Sequence, residues 1–172
     1  ALSLARRGLG SVWPNPAVGC VLVREDLGHR IVGRGWTQDG GRPHAETEAL
    51  GRAGELARGA TAYVSLEPCN HQGETGACSE ALINAGVKRC VIATEDSDPR
   101  VSGGGVKRLQ NAGVETLTGI CQKEALYLNV GFLMRVTEGR PMFTLKTATT
   151  LDGRVATVRG NSKWITGAGA RA

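Results

Sequence analysis

A chain of 172 residues, 41% hydrophobic and 22% charged, is long enough to bury a core and too apolar to stay disordered. Its formal net charge of +5 suits a phosphorylated or nucleotide-like small molecule, but its Lys and Arg residues are scattered and only 4% of it is aromatic, so no nucleic-acid partner is expected. No apolar run approaches the roughly 18–20 residues of a membrane helix, and ALSLARRGLG, with Arg behind its apolar part, does not read as a signal peptide, so no membrane partner is expected.

In chain order, ALSLARRGL reads as a short helix. WPNP breaks it, because proline sets its own φ and restricts the residue before it. AVGCVLVRE and IVGRGW are β-type runs flanking DLGHR, which predicts a hairpin. After the loop DGGRP, HAETEALGRAGELARG places Ala45, Ala49, Leu50, Ala53 and Leu56 on one helical face, with Arg58-Gly59 as its stop. TAYVSLEP is a strand running into Pro68, and SEALINAG is a helix beyond a polar loop. The strand VKRCVIAT, the loop DSDPRVSGGG, the helix GVKRLQNAG and the short strand VETLTG follow. KEALYLNVGFLMRVTEG reads as one longer helix with Leu126, Val130, Leu133 and Met134 on one side. Helices alternating with β-runs predict a layered α/β domain with a largely parallel sheet, to which the hairpin adds an antiparallel pair. RPMFTLKTATTLDGRVAT is a further β-run outside this pattern. Residues 1–140 are therefore expected to form one domain and 141–172 the start of a second, cut off here.

The five Cys divide into two kinds. An odd count without a signal peptide argues against a disulfide-stapled secreted domain, so a reducing cytoplasm is the expected compartment. Cys20 and Cys90 sit in apolar runs, where Cys packs as a small hydrophobe. Cys69 and Cys78 lie in the polar stretch EPCNHQGETGACSE, and Cys121 stands apart from both. Zinc takes about four ligands, and a catalytic site leaves one of them to water. His44, Cys69 and Cys78 supply three: His44 opens one helix, Cys78 opens another, and Cys69 follows a strand end. Free N–H groups at a helix start favour a thiolate there. Glu46 lies two residues past His44 on the same first turn, placed to reach the water and not to ligate. His-x-Glu followed by Pro-Cys and a second Cys is the arrangement of the zinc nucleobase deaminases, whose Glu is a general acid and base. Here the strings are His44-Ala45-Glu46 and Pro68-Cys69, with eight residues between Cys69 and Cys78 where Pro-Cys-x-x-Cys is usual. An insertion between two ligands lies beside the metal and is expected to form part of the substrate pocket.

WPNPAVGCVLV, GGRPHAETEAL, GATAYVSLEPCNHQGETGAC, ALINAGVKRCVIA, DPRVSGGG, NVGFLMRVTEGRP, LKTATTLDGR and GNSKWIT together resemble the riboflavin-biosynthesis deaminase–reductase family, specifically its N-terminal deaminase domain and the beginning of its reductase. The resemblance implies a cytidine-deaminase-like three-layer α/β/α fold with a mixed five-stranded sheet, followed by a truncated dihydrofolate-reductase-like start. It implies zinc-dependent deamination of 2,5-diamino-6-(5-phosphoribosylamino)pyrimidin-4(3H)-one, with ribose reduction by NADPH left to a complete reductase domain. The implied zinc ligands are His44, Cys69 and Cys78, and Glu46 is the implied proton shuttle. Asn15, His71 and Asp96 match substrate-contacting positions, as does Ser162 in the reductase portion, while Ala148 and Trp164 match cofactor-contacting ones. A homo-oligomer acting on a small molecule is the implied assembly.

The chain departs from the family pattern at several places. Asn70 stands for Ser, Gly76-Ala77 for a Pro pair, Thr37 for His and Gly104 for Arg. Glu74 stands where a basic residue is usual, and a carboxylate there repels a substrate phosphate by on the order of a few kcal/mol. Arg42 and Arg100 are the candidates to compensate. Two other readings follow from these residues: a deaminase of another nucleobase-like or non-phosphorylated substrate, and a catalytically silent scaffold.

Overall fold

Short apolar runs form five strands: β1 (Gly19–Arg24), β2 (Arg30–Trp36), β3 (Thr61–Val64), β4 (Arg89–Ile92) and β5 (Glu115–Thr118). They belong to a computed structural model that describes residues 1–70, 76–97 and 102–171. The chain divides into two units, Ala1–Pro141 and Met142–Ala172. In the first, the sheet order is β2-β1-β3-β4-β5. β1 runs antiparallel to both β2 and β3, whereas β3–β4 and β4–β5 are parallel. The sheet is thus mixed and five-stranded, as the family resemblance implies, with one antiparallel pair, β1–β3, beyond the hairpin that the residue pattern predicts. The cause is the helical crossover between β2 and β3, which makes those two parallel and leaves their shared neighbour β1 antiparallel to each.

Among the described residues the first unit holds six α-helices: α1 (Leu2–Ala5), α2 (Ala45–Ala53), α3 (Cys78–Asn84), α4 (Gly104–Asn111), α5 (Gln122–Leu128) and α6 (Val130–Glu138). Gly19 pairs with Trp36 and Cys20 with Gly35, so Gly19 and Gly35 belong to opposite faces. α1 packs at Gly19 and α2 at Gly35, which gives three layers. α2, α3 and α4 pack in succession, and α1 packs with α5. Cys20, Leu22, Val64, Leu82, Cys90, Ile92 and Leu109 are among the residues of the core between sheet and helices.

The close seat of α2 matters, because α2 carries His44 at its N-cap and Glu46 in its first turn. A Cβ on Gly35 would strike the Ala45 carbonyl oxygen and lie 2.6 Å from the Ala49 nitrogen. Gly35→Ala is therefore expected to lower stability by about 1–3 kcal/mol, since backbone atoms cannot yield as a side chain can. Gly51 lies in the same helix with nothing within 4 Å of a Cβ. Gly51→Ala is expected to stabilise by about 0.5–1 kcal/mol. Urea unfolding of both variants checks the opposite signs.

Three expectations need correction. The helix opening at Ala45 stops at Ala53, because Gly54 takes φ 54 and Gly54–Ala57 continues as a 3-10 turn. The single helix expected over 123–139 is two, α5 and α6, parted at Asn129, whose backbone leaves the helical range. The β-run after residue 141 forms no strand among the described residues. An extended segment becomes a strand only by pairing its N–H and C=O groups with a neighbour. The second unit instead holds tight turns, with Thr150 N–H donating to the Arg154 carbonyl at 2.9 Å and Thr157 N–H to the Asn161 carbonyl at 3.0 Å, and a short helix, α7 (Ala168–Arg171). No helix among the described residues is long and apolar enough to cross a membrane.

Candidate metal centre

The polypeptide brings His44, Cys69 and Cys78 together beyond the C-terminal end of β3. Their donor atoms all lie within 4.8 Å of one another. His44 Nδ1 is 3.3 Å from Cys78 Sγ and 3.7 Å from Cys69 Sγ. Bonds of about 2.0–2.1 Å to nitrogen and 2.3 Å to sulfur at tetrahedral angles require N···S edges of roughly 3.5 Å, so the donor set and its spacing fit zinc. Local structure holds each donor in place. His44 is the N-cap of α2 and Cys78 is the first residue of α3. Cys69 lies on irregular backbone, where its carbonyl accepts from both the Ser79 N–H at 3.1 Å and the Ser79 hydroxyl at 3.0 Å. The Cys78 N–H, at the start of α3, donates to Cys69 Sγ at 3.3 Å.

The electrostatics of the three donors differ. Hydrogen bonds from Cys78 and His44 hold the Cys69 thiol down at about 4, against the cost of burial. The hydrogen bond to Cys69 and burial push Cys78 upward, so in the metal-free cluster Cys69 is the thiolate and Cys78 keeps its proton. His44 is raised by its hydrogen bond to Cys69, with the Glu46 charge adding to the effect. A metal replaces those shared protons, and a thiolate already formed favours its entry.

Glu46 is buried beneath the cluster at 3% exposure. Burial pushes its carboxyl up to about 7, opposed by a hydrogen bond from its own backbone and by His44. The fully buried thiols of Cys20 and Cys90 stand close enough to Glu46 to be raised further by its charge, which adds to the effect of their burial. An apolar floor of this kind places a carboxyl near neutrality, where a proton shuttle works best.

Glu46, His44 and Cys69 line a cavity of about 520 Å³, together with Asn15, Thr37, Arg42, Glu67, Asp96 and Arg135. Asn15 donates its side-chain N–H to the Gly41 carbonyl at 2.8 Å, which leaves its Oδ1 to accept from a ligand. Gly41 sits at φ 87 against that amide, a position closed to residues with a Cβ. Thr37 accepts from the Val18 N–H at 3.0 Å and donates to the Pro16 carbonyl at 3.1 Å, bracing the segment that carries Asn15. Two departures from the family pattern, Asn70 and Gly104, are neighbours, since a Cβ on Gly104 would lie 3.2 Å from the Asn70 amide nitrogen. His71, Glu74 and Arg100 lie outside the described residues. Ala148, Ser162 and Trp164 belong to the second unit, where all three are exposed on turn or irregular backbone.

Three residues near the site carry no local sequence signal: Asn129, Arg135 and Glu67. Asn129, buried at 5% exposure, accepts from the Ala17 N–H and donates to the Ala17 carbonyl, both at 2.9 Å. Arg135 donates to the Pro14 carbonyl at 2.8 Å and lies 4.7 Å from the Trp13 ring centroid. Asn129 at the α5–α6 junction and Arg135 within α6 therefore grip the Trp13–Ala17 segment at both ends. Asn129→Ala strands both Ala17 backbone groups and is expected to cost about 2–4 kcal/mol in thermal or urea unfolding.

Comparison with known proteins agrees with this geometry. The model of the cytidine and deoxycytidylate deaminase zinc-binding region matches residues 1–94. The riboflavin biosynthesis protein RibD of Aquifex aeolicus is 53% identical over 166 residues, covering 96% of this chain and 46% of that protein. RibD of Escherichia coli is 51% identical over 171 residues, covering 99% and 46%. Among solved structures, Acinetobacter baumannii RibD matches with a TM-score of 0.86 at 53% identity, covering 99% of this chain and 47% of that one. The Thermotoga maritima diaminohydroxyphosphoribosylaminopyrimidine deaminase/5-amino-6-(5-phosphoribosylamino)uracil reductase matches with a TM-score of 0.89 at 45% identity, covering 97% and 48%. The chain spans about half the length of the curated relatives it matches. With a zinc-type donor set, a buried glutamate and a matching family model, the chain belongs to the cytidine and deoxycytidylate deaminase zinc-binding family, and the relatives it resembles are RibD proteins of riboflavin biosynthesis.

Proposed function

We propose that this chain carries a hydrolytic deaminase site for 2,5-diamino-6-(5-phosphoribosylamino)pyrimidin-4(3H)-one, giving 5-amino-6-(5-phosphoribosylamino)uracil and ammonia. The observation that carries the reading is the buried Glu46 beside the His44–Cys69–Cys78 cluster on the wall of a cavity of about 520 Å³. A zinc ion held by His44, Cys69 and Cys78 would lower the pKa of a water in its fourth position to about 7, and so supply the nucleophile near neutrality. Glu46 accepts a proton from the attacking water as the water oxygen bonds to the amino-bearing ring carbon. The same carboxyl passes that proton to the ring nitrogen, takes the second proton from the newly bound hydroxyl, and passes it to the departing amine. The C–N bond breaks, ammonia leaves, and the carbon keeps the oxygen as a carbonyl. Asn15 and Asp96 orient the pyrimidine and its substituent from the cavity wall, with His71 as a further contact from the Cys69–Cys78 segment.

Residues 141–172 begin a reductase domain in this reading. Ser162 serves its substrate and Ala148 and Trp164 its NADPH, once the rest of such a domain is present. A homo-oligomer is the assembly proposed from the resemblance.

The test is ammonia release by zinc-loaded protein from the phosphorylated pyrimidine and, in parallel, from its dephosphorylated form. Release from the phosphorylated compound supports the reading and shows that Glu74 is tolerated. Release only from the dephosphorylated compound moves the substrate class. Release from neither, with zinc bound, abandons this substrate.

A further inference from the structure

Glu67 is a second buried carboxylate on the cavity wall, at 5% exposure, two residues before Cys69. Its oxygens are fully engaged. Oε2 accepts from the N–H groups of Asp96 and Gly103, both at 3.0 Å. Oε1 accepts from Gly105 at 2.8 Å and Val106 at 3.1 Å. Four N–H donors use the four lone-pair sites a carboxylate offers, so nothing remains for a substrate proton. This sets Glu67 apart from Glu46. Its four partners are the start and end of one connection, from Asp96 after β4 to Gly103 before α4, and two N–H groups in the first turn of α4. The seat is tight from the other side too, because a Cβ on Gly105 would run into the Pro68 carbonyl oxygen.

We infer that Glu67 is a positioning residue for substrate binding: one buried carboxylate clamps both ends of the Asp96–Gly103 connection to the backbone that carries Cys69, and so sets the distance between Asp96 and the metal centre. The inference rests on the deaminase reading above, in which the reacting carbon lies at the metal and Asp96 holds a part of the substrate that does not react. Its consequence is a division of labour. Loosening the clamp displaces Asp96 and leaves His44, Glu46, Cys69 and Cys78 in place, so binding suffers before chemistry does.

The test uses Glu67→Gln in the zinc-loaded protein. Glutamine keeps the size but turns an NH2 toward two of the four N–H donors. Amide hydrogen exchange is expected to show Asp96 and Gly103 protected in the parent and exchanging at least about 100-fold faster in the variant, with one zinc retained. With the pyrimidine substrate, KM is expected to rise about tenfold while kcat stays within about threefold. In an Asp96→Asn background the same substitution is expected to change KM by less than about twofold, because the two act through one contact. Should Glu67→Gln fail to fold, Glu67→Asp, which keeps the charge and withdraws the oxygens by one methylene, carries the same comparison. Unprotected Asp96 and Gly103 amides in the parent, a loss of kcat at unchanged KM, loss of zinc, or multiplying effects with Asp96→Asn overturn the inference. If the parent itself turns over no substrate, the deaminase reading fails instead, and the exchange result decides whether the clamp exists.

Discussion

Glu46→Gln is expected to keep one zinc per chain, keep its fold, and lose about 10²–10⁴-fold in deamination rate. Three features make this the largest purely catalytic effect. Glu46 is buried at 3% exposure, so no other solvent-borne base replaces it. It stands on the first turn of α2 next to His44 but outside the donor cluster, so removing its charge leaves all three donors intact. Glutamine also matches its volume, so the apolar floor is not opened. Metal analysis with a rate assay decides the matter: a rate within a few-fold of the parent would remove Glu46 from the chemistry.

The pH dependence follows from the same residue. Burial raises the Glu46 carboxyl to about 7 in the metal-free protein. A divalent cation beside it favours the carboxylate and draws that value down. In the proposed reaction Glu46 must be ionised to accept the first proton. Activity is therefore present above its pKa and is lost as the pH falls through it, about tenfold per pH unit, with a midpoint below 7. This acid limb is expected to vanish in whatever activity Glu46→Gln retains.

Cys78→Ala is expected to abolish both metal and activity. Two donors, His44 and Cys69, then remain of the three that lie within 4.8 Å. Loss of a direct ligand exceeds the 10–100-fold weakening typical of outer partners, so zinc affinity is expected to fall by more than about 100-fold. Cys78 also gives Cys69 a hydrogen bond that helps hold it as a thiolate, so its removal weakens the remaining sulfur as a ligand. Retained zinc after dialysis against a chelator would place the metal elsewhere. Cys20→Ala is the contrasting variant: its buried thiol lies outside the donor cluster, and its loss is expected to cost stability but not metal.

Most of the element order and the donor set that the structure brings together were legible in the chain, because both are written locally. Alternation and 3.6-residue periodicity mark strands and helices within a few residues of themselves, and His44, Cys69 and Cys78 carry their donor chemistry in their own side chains. Two of those donors open helices, His44 as the N-cap of α2 and Cys78 as the first residue of α3, and those helix starts are visible in the residues around them. What the sequence could not determine depends on partners far along the chain. The break at Asn129 overrides a helical pattern, with Asn129 bonded to Ala17, 112 positions away. The antiparallel pairing of β1 with β3 arises from a crossover, not from either strand's residues. Glu67 gives no hint in EPC that it will meet Asp96, Gly103, Gly105 and Val106. A backbone N–H looks the same in every residue, so which acceptor it reaches is decided only when the tertiary structure brings the two together.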